Sequence, residues 1–333
     1  MAGIAIVGQG YMGRTHAEAW ANLGHAADIR YVVAPGEQLL FEPATEARFV
    51  GNLQVALDDP EVDILSVCTP TPSHAEIAIR ALRAGKHVLL EKPIALTIDD
   101  AMAIREVAST SGRVLMVAQV VRFFAGYQLL RDAWQTGSLG TLQSLRAVRA
   151  INTPTWADWW SDETQSGGVP VDFSIHDYDQ SNLFLGAPVG VTAARLSDTG
   201  PIETTIEYWG GGLGQVLSHA HTPVGIPFTS SLSLIGTAGM ADYRLSAGSP
   251  TDPDASGVNA FRLTTVDGST EFAVEDNSPY TREIEYFLAC IADGVEPSLS
   301  PTDSAIRALE VSLAVRESLR RRTRVRLHSV VDG

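Results

Sequence analysis

GIAIVGQGYMG, residues 3–13, decides how the rest of the chain is read. A short, almost wholly apolar run leads straight into glycines at 8, 10 and 13, in G-x-G-x-x-G spacing. An apolar run without polar alternation suits a strand buried on both faces, and residues 12–23 then read as a helix. In a strand–turn–helix context each glycine has its own task. Gly8 allows the tight turn, Gly10 lets a pyrophosphate approach the backbone, and Gly13 lets the helix pack closely on the strand. The helix N-terminus adds unsatisfied N–H groups aimed at the phosphates. The turn Gly8, Gln9, Gly10, Tyr11, Met12 and Gly13 is therefore expected to cradle a dinucleotide.

Such a fold places an acid at the end of its second strand, for the ribose 2′-hydroxyl of NAD. Here the strand runs YVVAPGEQ, with Ala34 and Pro35 at that place and Glu37 slightly beyond. The following loop carries no basic residue before Arg48 to hold a 2′-phosphate. The cofactor is read as NAD or NADP, with a lean to NAD because Glu37 would repel a phosphate.

Outward from this start, strand and helix patterns alternate. Strands are expected at 28–34, 62–69, 87–92 and 113–120, with helices at 74–84 and 97–110. That order predicts a doubly wound parallel sheet with helices on both faces. After residue 122 the pattern changes. A helix at 127–136 and a strand at 141–150 lead to successive strand-like runs from 189 to 274, separated by turn residues. These predict an α+β domain built on a large, mostly antiparallel sheet. Helices at 279–293 and 302–320 close the chain. The expected domains are 1–122, dinucleotide-binding, and 123–333, for substrate binding and oligomerisation.

Composition narrows the function. The chain has 333 residues, 45% of them hydrophobic, and a formal charge of −15. Excess acid argues against nucleic acid or an anionic membrane as partner. No stretch of about 18 apolar residues offers a membrane span. The N-terminus lacks the basic region of a signal peptide, and Cys68 and Cys290 form no metal or disulfide pattern. The simplest reading is a cytoplasmic enzyme.

GVPVDFSIHDYDQ, residues 168–180, carries the chemistry of the second half. Asp172, His176 and Asp179 stand at i, i+4 and i+7, which on one helix is a single face. Such a stripe suits a metal site, a proton-transfer pair or a solvated surface. The segment lacks H-E-x-x-H and has no cysteine near it, so no metal site is assigned. Two further segments follow predicted strands: CTPTPSH (68–74) and LLEKP (89–93). In open parallel sheets ligands bind at such strand ends.

The glycine turn, CTPTPSH, LLEKP, GGVPVDFSIHDYD and the C-terminal SPYTREIEYFLACIADG occur in this order across the whole chain. Together they resemble the glucose-fructose oxidoreductase, inositol dehydrogenase and rhizopine-catabolism family (Gfo/Idh/MocA). HDYD resembles its inositol-dehydrogenase branch. Two features depart from the family pattern: the missing ribose acid, and Pro170, which suits a helix start. The resemblance implies an NAD(P)-dependent dehydrogenase for a sugar, inositol or related polyol. It implies Lys92, Asp172 and His176 flanking the nicotinamide and a substrate hydroxyl where the two domains meet. It also implies a homo-oligomer formed through the C-terminal sheet.

Oxidising an alcohol removes a hydride from carbon, which the cofactor takes, and a proton from oxygen, which needs a base in reach. His176 suits that task near neutral pH. Asp172 can orient it, and Lys92 can donate to the oxygen or act as the base itself. Thr69, Pro70, His74 and Glu91 are expected to border the cofactor. Arg122, Trp156, Trp160 and Tyr280 are candidate substrate contacts, the tryptophans because aromatic faces pack against sugar C–H groups. His219 and His221 are expected to have separate structural roles. Two other classes remain open: a glycoside hydrolase that oxidises its substrate transiently with NAD, and a non-catalytic dinucleotide-binding regulator.

Overall fold

A computed structural model describes residues 3–36, 42–44, 46–153, 158–248, 256–275 and 278–328. The chain begins β1 (Gly3–Val7), α1 (Tyr11–Asn22), β2 (Ile29–Val33), β3 (Arg48–Val50), α2 (Leu53–Asp58) and β4 (Val62–Val67). It continues α3 (His74–Arg83), β5 (His87–Glu91), α4 (Ile98–Ser111) and β6 (Leu115–Ala118). The six strands form one sheet in the order β3-β2-β1-β4-β5-β6, every neighbouring pair parallel. The order reverses between β1 and β4, the switch point where such sheets bind ligands beyond their strand ends. β1 is buried along its whole length, as its unbroken apolar sequence requires. The Rossmann-type sheet is as expected. β3 and α2, at three and six residues, are too short to show a period and were not read from the sequence.

The next elements are α5 (Ala125–Gln135), β7 (Leu142–Asn152), α6 (Glu163–Ser166), α7 (Val169–Asp172) and α8 (Ile175–Leu185). Then come β8 (Pro188–Ala194), β9 (Ile202–Tyr208), β10 (Leu213–Thr222), β11 (Thr229–Gly236), β12 (Gly239–Ser246), β13 (Val258–Thr265) and β14 (Gly268–Ala273). Alternate residues of β9 and β10 are buried, the period-2 signature of strands with one covered face. After α9 (Pro279–Asp293) and α10 (Thr302–Arg321), β15 (Val325–Arg326) completes a nine-stranded sheet. Its order is β14-β13-β12-β11-β7-β10-β9-β8-β15. All its pairs are antiparallel except β7 with β10.

Two compact units result: Met1–Phe123 with Asn277–Ile306, and Phe124–Asp276 with Arg307–Gly333. The sequence division at 122 assigned α9 to the second domain, whereas α9 belongs to the first unit. The reason lies in its apolar stripe. Ile284, Phe287 and Cys290 join Ile4, Ile6, Trp20, Ile64 and Leu89 in one buried cluster. No helix among the described residues is long and apolar enough to cross a membrane.

Candidate active site

All strands of the first sheet are parallel, so their C-terminal ends share one edge. That edge carries the glycine turn after β1, Thr69 and Pro70 after β4, and Glu91–Lys92–Pro93 at the end of β5. Gly8 has φ +112°, and a Cβ there would lie 2.4 Å from the Cys68 carbonyl oxygen. Only glycine lets the two turns approach this closely. At Gly10 the same atom would meet nothing within 4 Å. Gly10 is the N-cap residue of α1 and supplies no side-chain cap, which leaves backbone N–H groups for an anion. These residues fit a dinucleotide's phosphates. Gln9 and Met12 are half-buried, Tyr11 is exposed and Gly13 is buried against the sheet. Ala34 is buried and Pro35 exposed; Glu37 lies outside the described residues.

Beneath this edge is a set of buried polar groups that the sequence reading partly missed. His16, on α1, approaches Ser66 Oγ with Nδ1 at 2.7 Å and Glu91 Oε1 with Nε2 at 3.0 Å. Burial opposes charge on His16, but Cys68 and Glu91 outweigh it and raise its pKa well above the ordinary imidazole value. Glu91 Oε2 accepts the backbone N–H of Lys92 at 3.1 Å. His74 stands between two carbonyls, Nδ1 at 2.8 Å from Pro93 and Nε2 at 2.9 Å from Thr69. Burial pulls its pKa down, although both carbonyls favour the imidazolium. Tyr280 packs with its ring centroid 6.5 Å from that of His16. Burial and the nearby charges of Glu91, Tyr11 and Glu283 raise its phenol pKa. Arg122 is buried and donates from Nη1 to the Leu299 carbonyl at 2.8 Å, a structural tie within the first unit.

Glu283 is fully buried, and neither carboxylate oxygen has a hydrogen-bond partner among the described residues. Burial first, then the Glu91 charge, push its pKa well above the carboxylate range, with His16 opposing. The helix period gave a signal: Tyr280, Glu283, Ile284 and Phe287 follow i, i+3, i+4, i+7, so the acid falls on the buried stripe. A folded pKa raised above the unfolded value near 4.3 means stability that is complete in acid and is lost as pH rises through the folded pKa. His16 acts in the same sense from about pH 6.5 upward. Glu283→Gln keeps the shape of the uncharged acid and removes its titration. Urea unfolding of this variant is expected to show a shallower loss of stability between acid and alkaline pH, by up to about 1.4 kcal/mol per pH unit. Parallel stability–pH curves for the variant and the parent would refute the assignment.

In the second unit, Asp172 and His176 do not share one helix. α7 ends at Asp172, and the amides of Phe173 and Ser174 both turn to the Val169 carbonyl, at 3.1 and 2.9 Å. α8 starts afresh at Ile175. Asp172 and His176 are half-buried, while Asp179 lies in the interior, so the expected three-residue stripe is divided. Trp160 donates from Nε1 to Asp172 Oδ2 at 2.8 Å. Its ring meets that of His221 edge-on at 5.8 Å, and His221 Nδ1 lies 3.0 Å from Thr153 Oγ1. His221, expected to be apart and structural, thus adjoins the Asp172 cluster. Burial lowers its pKa, as do the charges of His219 and Arg195. Trp156 lies outside the described residues.

α8 is anchored by a pair the sequence reading also missed. Arg149, on β7, donates to Asp177 Oδ2 from Nε at 2.7 Å and to Oδ1 from Nη2 at 2.8 Å. Its Nη2 also reaches the Tyr127 hydroxyl at 3.4 Å, and that hydroxyl contacts Ser230 Oγ at 2.9 Å. Burial opposes the Arg149 charge, but Asp177 outweighs it and raises the arginine's pKa. Arg149 interrupts an apolar alternation, LRAVRAI, which was the available signal. Its neighbour in the pair, Asp177, directly follows His176.

Comparison with known proteins bears on both halves. A family model described as "Oxidoreductase family, NAD-binding Rossmann fold" matches residues 2–119, and one described as "GFO/IDH/MocA C-terminal domain" matches residues 127–242. The chain is 25% identical over 333 residues to scyllo-inositol 2-dehydrogenase (NAD(+)) of Bacillus subtilis (strain 168), covering 95% of this chain and 93% of that one. It is 27% identical over 337 residues to inositol 2-dehydrogenase of Rhizobium meliloti (strain 1021), covering 95% and 97%. Among solved structures, levoglucosan dehydrogenase in complex with NADH shares the fold with a TM-score of 0.83 at 20% identity, covering 99% of this chain and 100% of that one. Both halves therefore belong to the Gfo/Idh/MocA family of oxidoreductases, whose N-terminal half is an NAD-binding Rossmann fold.

Proposed function

We propose that this chain is an NAD(P)-dependent dehydrogenase, with a lean to NAD, acting on a hydroxyl of a sugar, an inositol or a related polyol. The observation that carries the reading is the sheet edge. The uncapped glycine turn and the Glu91–Lys92–Pro93 segment stand at strand ends on the same edge of one parallel sheet, so a bound dinucleotide and an amine meet there. The names of the relatives, inositol 2-dehydrogenases among them, support the substrate class. The nicotinamide, when bound, supplies the hydride acceptor or donor.

The chain's own residues do the rest. The Gly8–Gly13 turn binds the phosphates through backbone N–H groups. The family resemblance assigns Lys92, Asp172 and His176 to proton handling at the substrate hydroxyl. His176 takes its proton on oxidation and returns it on reduction, since one group must run both directions. Asp172, held by the Trp160 N–H, orients the hydroxyl or the imidazole, and the family resemblance assigns Lys92 a donor role toward a substrate oxygen. The experiment is a panel of inositols, sugars and their anhydro derivatives with NAD and with NADP, followed by the ultraviolet absorbance of the reduced nicotinamide. At least one polyol is expected to reduce the cofactor stoichiometrically. No net reduction with any member, alongside tight cofactor binding, would overturn the reading. Because Ala34 and Pro35 stand in place of the ribose acid, discrimination is expected to be weak. Dissociation constants favouring NADP by more than about tenfold, or ~1.4 kcal/mol, would overturn the lean to NAD.

A further inference from the structure

The Lys92 segment is gripped from both sides by buried imidazoles. On its N-terminal side, His16 holds Glu91 Oε1, leaving Oε2 for the Lys92 N–H. On its C-terminal side, His74 holds the carbonyl of Pro93. Each histidine also reaches toward the neighbouring strand: His16 through Ser66 in β4, while His74 lies between the Pro93 carbonyl and the Thr69 carbonyl just beyond β4, its single N–H when neutral serving one of the two. His16 is 0% and His74 1% exposed. Packing alone does not call for this. An apolar side chain would fill either place without the desolvation cost of a buried imidazole. A hydrogen-bonded polar network instead fixes one geometry, and here the fixed object is the three-residue segment Glu91–Lys92–Pro93 that carries one amine.

We propose that His16 and His74 are positioning residues for Lys92: together they fix the backbone from which its ammonium group reaches the substrate oxygen. This rests on the reading of Lys92 given above. The opposing view is that they merely fasten β4 to β5. The two differ in what a substitution disturbs. Loss of positioning leaves the amine present but displaced, and a misplacement of about 1 Å is enough to cost up to roughly a hundredfold in rate. Loss of fastening loosens both strands together and weakens cofactor binding with them.

The first test needs no activity. Amide hydrogen exchange in the cofactor-free protein is expected to show the Lys92 N–H protected. His16→Leu should accelerate that site by about tenfold or more while the amides of β4 keep their protection. His16→Gln, which retains a donor toward Glu91, should restore it. Ser66→Ala is a second variant if His16→Leu does not fold, and it should loosen the same amide to a lesser degree. With a substrate from the panel, His16→Leu and His74→Leu are expected to lower kcat by roughly ten- to a hundredfold, with NADH affinity held within about threefold, and His16→Gln to recover most of the loss. Wild-type kcat in folded His16→Leu and His74→Leu overturns the proposal. Exchange accelerated equally along β4 and β5, or a loss confined to NADH affinity, also overturns it. Lys92→Ala is run alongside. If it keeps full turnover, the reading of Lys92 fails; if it loses turnover while the histidine variants keep theirs, positioning alone fails.

Discussion

Lys92→Ala and His176→Ala are each expected to lower turnover by about a hundredfold or more, the scale of a lost general acid or base, while NADH still binds. The separation follows from where the contacts lie. On the proposed reading the phosphate grip belongs to the backbone of the Gly8–Gly13 turn, where a Cβ at Gly10 would meet nothing among the described residues and α1 has no side-chain cap. Neither Lys92 nor His176 is part of that turn. On the proposed assignment each residue serves proton transfer rather than cofactor binding, so each variant is expected to lose transition-state stabilisation and to keep the bound cofactor. Steady-state kinetics on the best panel substrate, with NADH titrated by fluorescence, measures both parts. Single variants that keep turnover within about threefold of the parent would remove these residues from the chemistry.

What the sequence revealed about this site depended on how local each signal was. The glycine turn is three residues at fixed spacing between a strand and a helix, and both flanking periods are visible in the chain. Lys92 and Thr69 were legible as strand ends, since a parallel sheet collects its strand ends on one edge. Asp172 and His176 were singled out by a spacing that the fold does not keep on one helix. Their spacing implied one helix, but a turn closed on the Val169 carbonyl divides α7 from α8. Nothing in the letters VDFSIHD announces that break. His16, Ser66 and Glu91 are separated by 50 and 75 positions from His16 onward; only the fold brings them together. Glu283 and Arg149 were visible as charged residues set in apolar patterns, yet a pattern shows burial without naming a partner. α9 was assigned to the wrong compact unit by chain order because its stripe does not say which core it fills.

Asp177→Ala is expected to destabilise the protein by about 3–5 kcal/mol, the cost of leaving a buried charge without its partner. The Arg149 and Asp177 side chains are 6% and 0% exposed, so water cannot replace the lost carboxylate. The Tyr127 hydroxyl, at 3.4 Å, would remain a partner of the guanidinium, and a neutral hydroxyl does not balance its charge. Exposed pairs elsewhere, such as Arg324 with Glu207 or Arg320 with Glu317, are screened by solvent and contribute little by comparison. Replacing both members by apolar residues, Arg149→Met with Asp177→Leu, should cost much less than Asp177→Ala, because no unpaired charge is then buried. That ordering separates charge burial from loss of packing: packing loss alone would make the double variant the worse of the two. Urea unfolding gives the stabilities directly. Function supplies a second readout, since Asp177 follows His176 on α8 and its bond to β7 fixes that helix. The double variant is expected to fold yet turn over more slowly than the parent, with its NADH affinity unchanged. A destabilisation by Asp177→Ala below about 1 kcal/mol, the range of an exposed pair, would show that the Arg149 charge finds water or another partner.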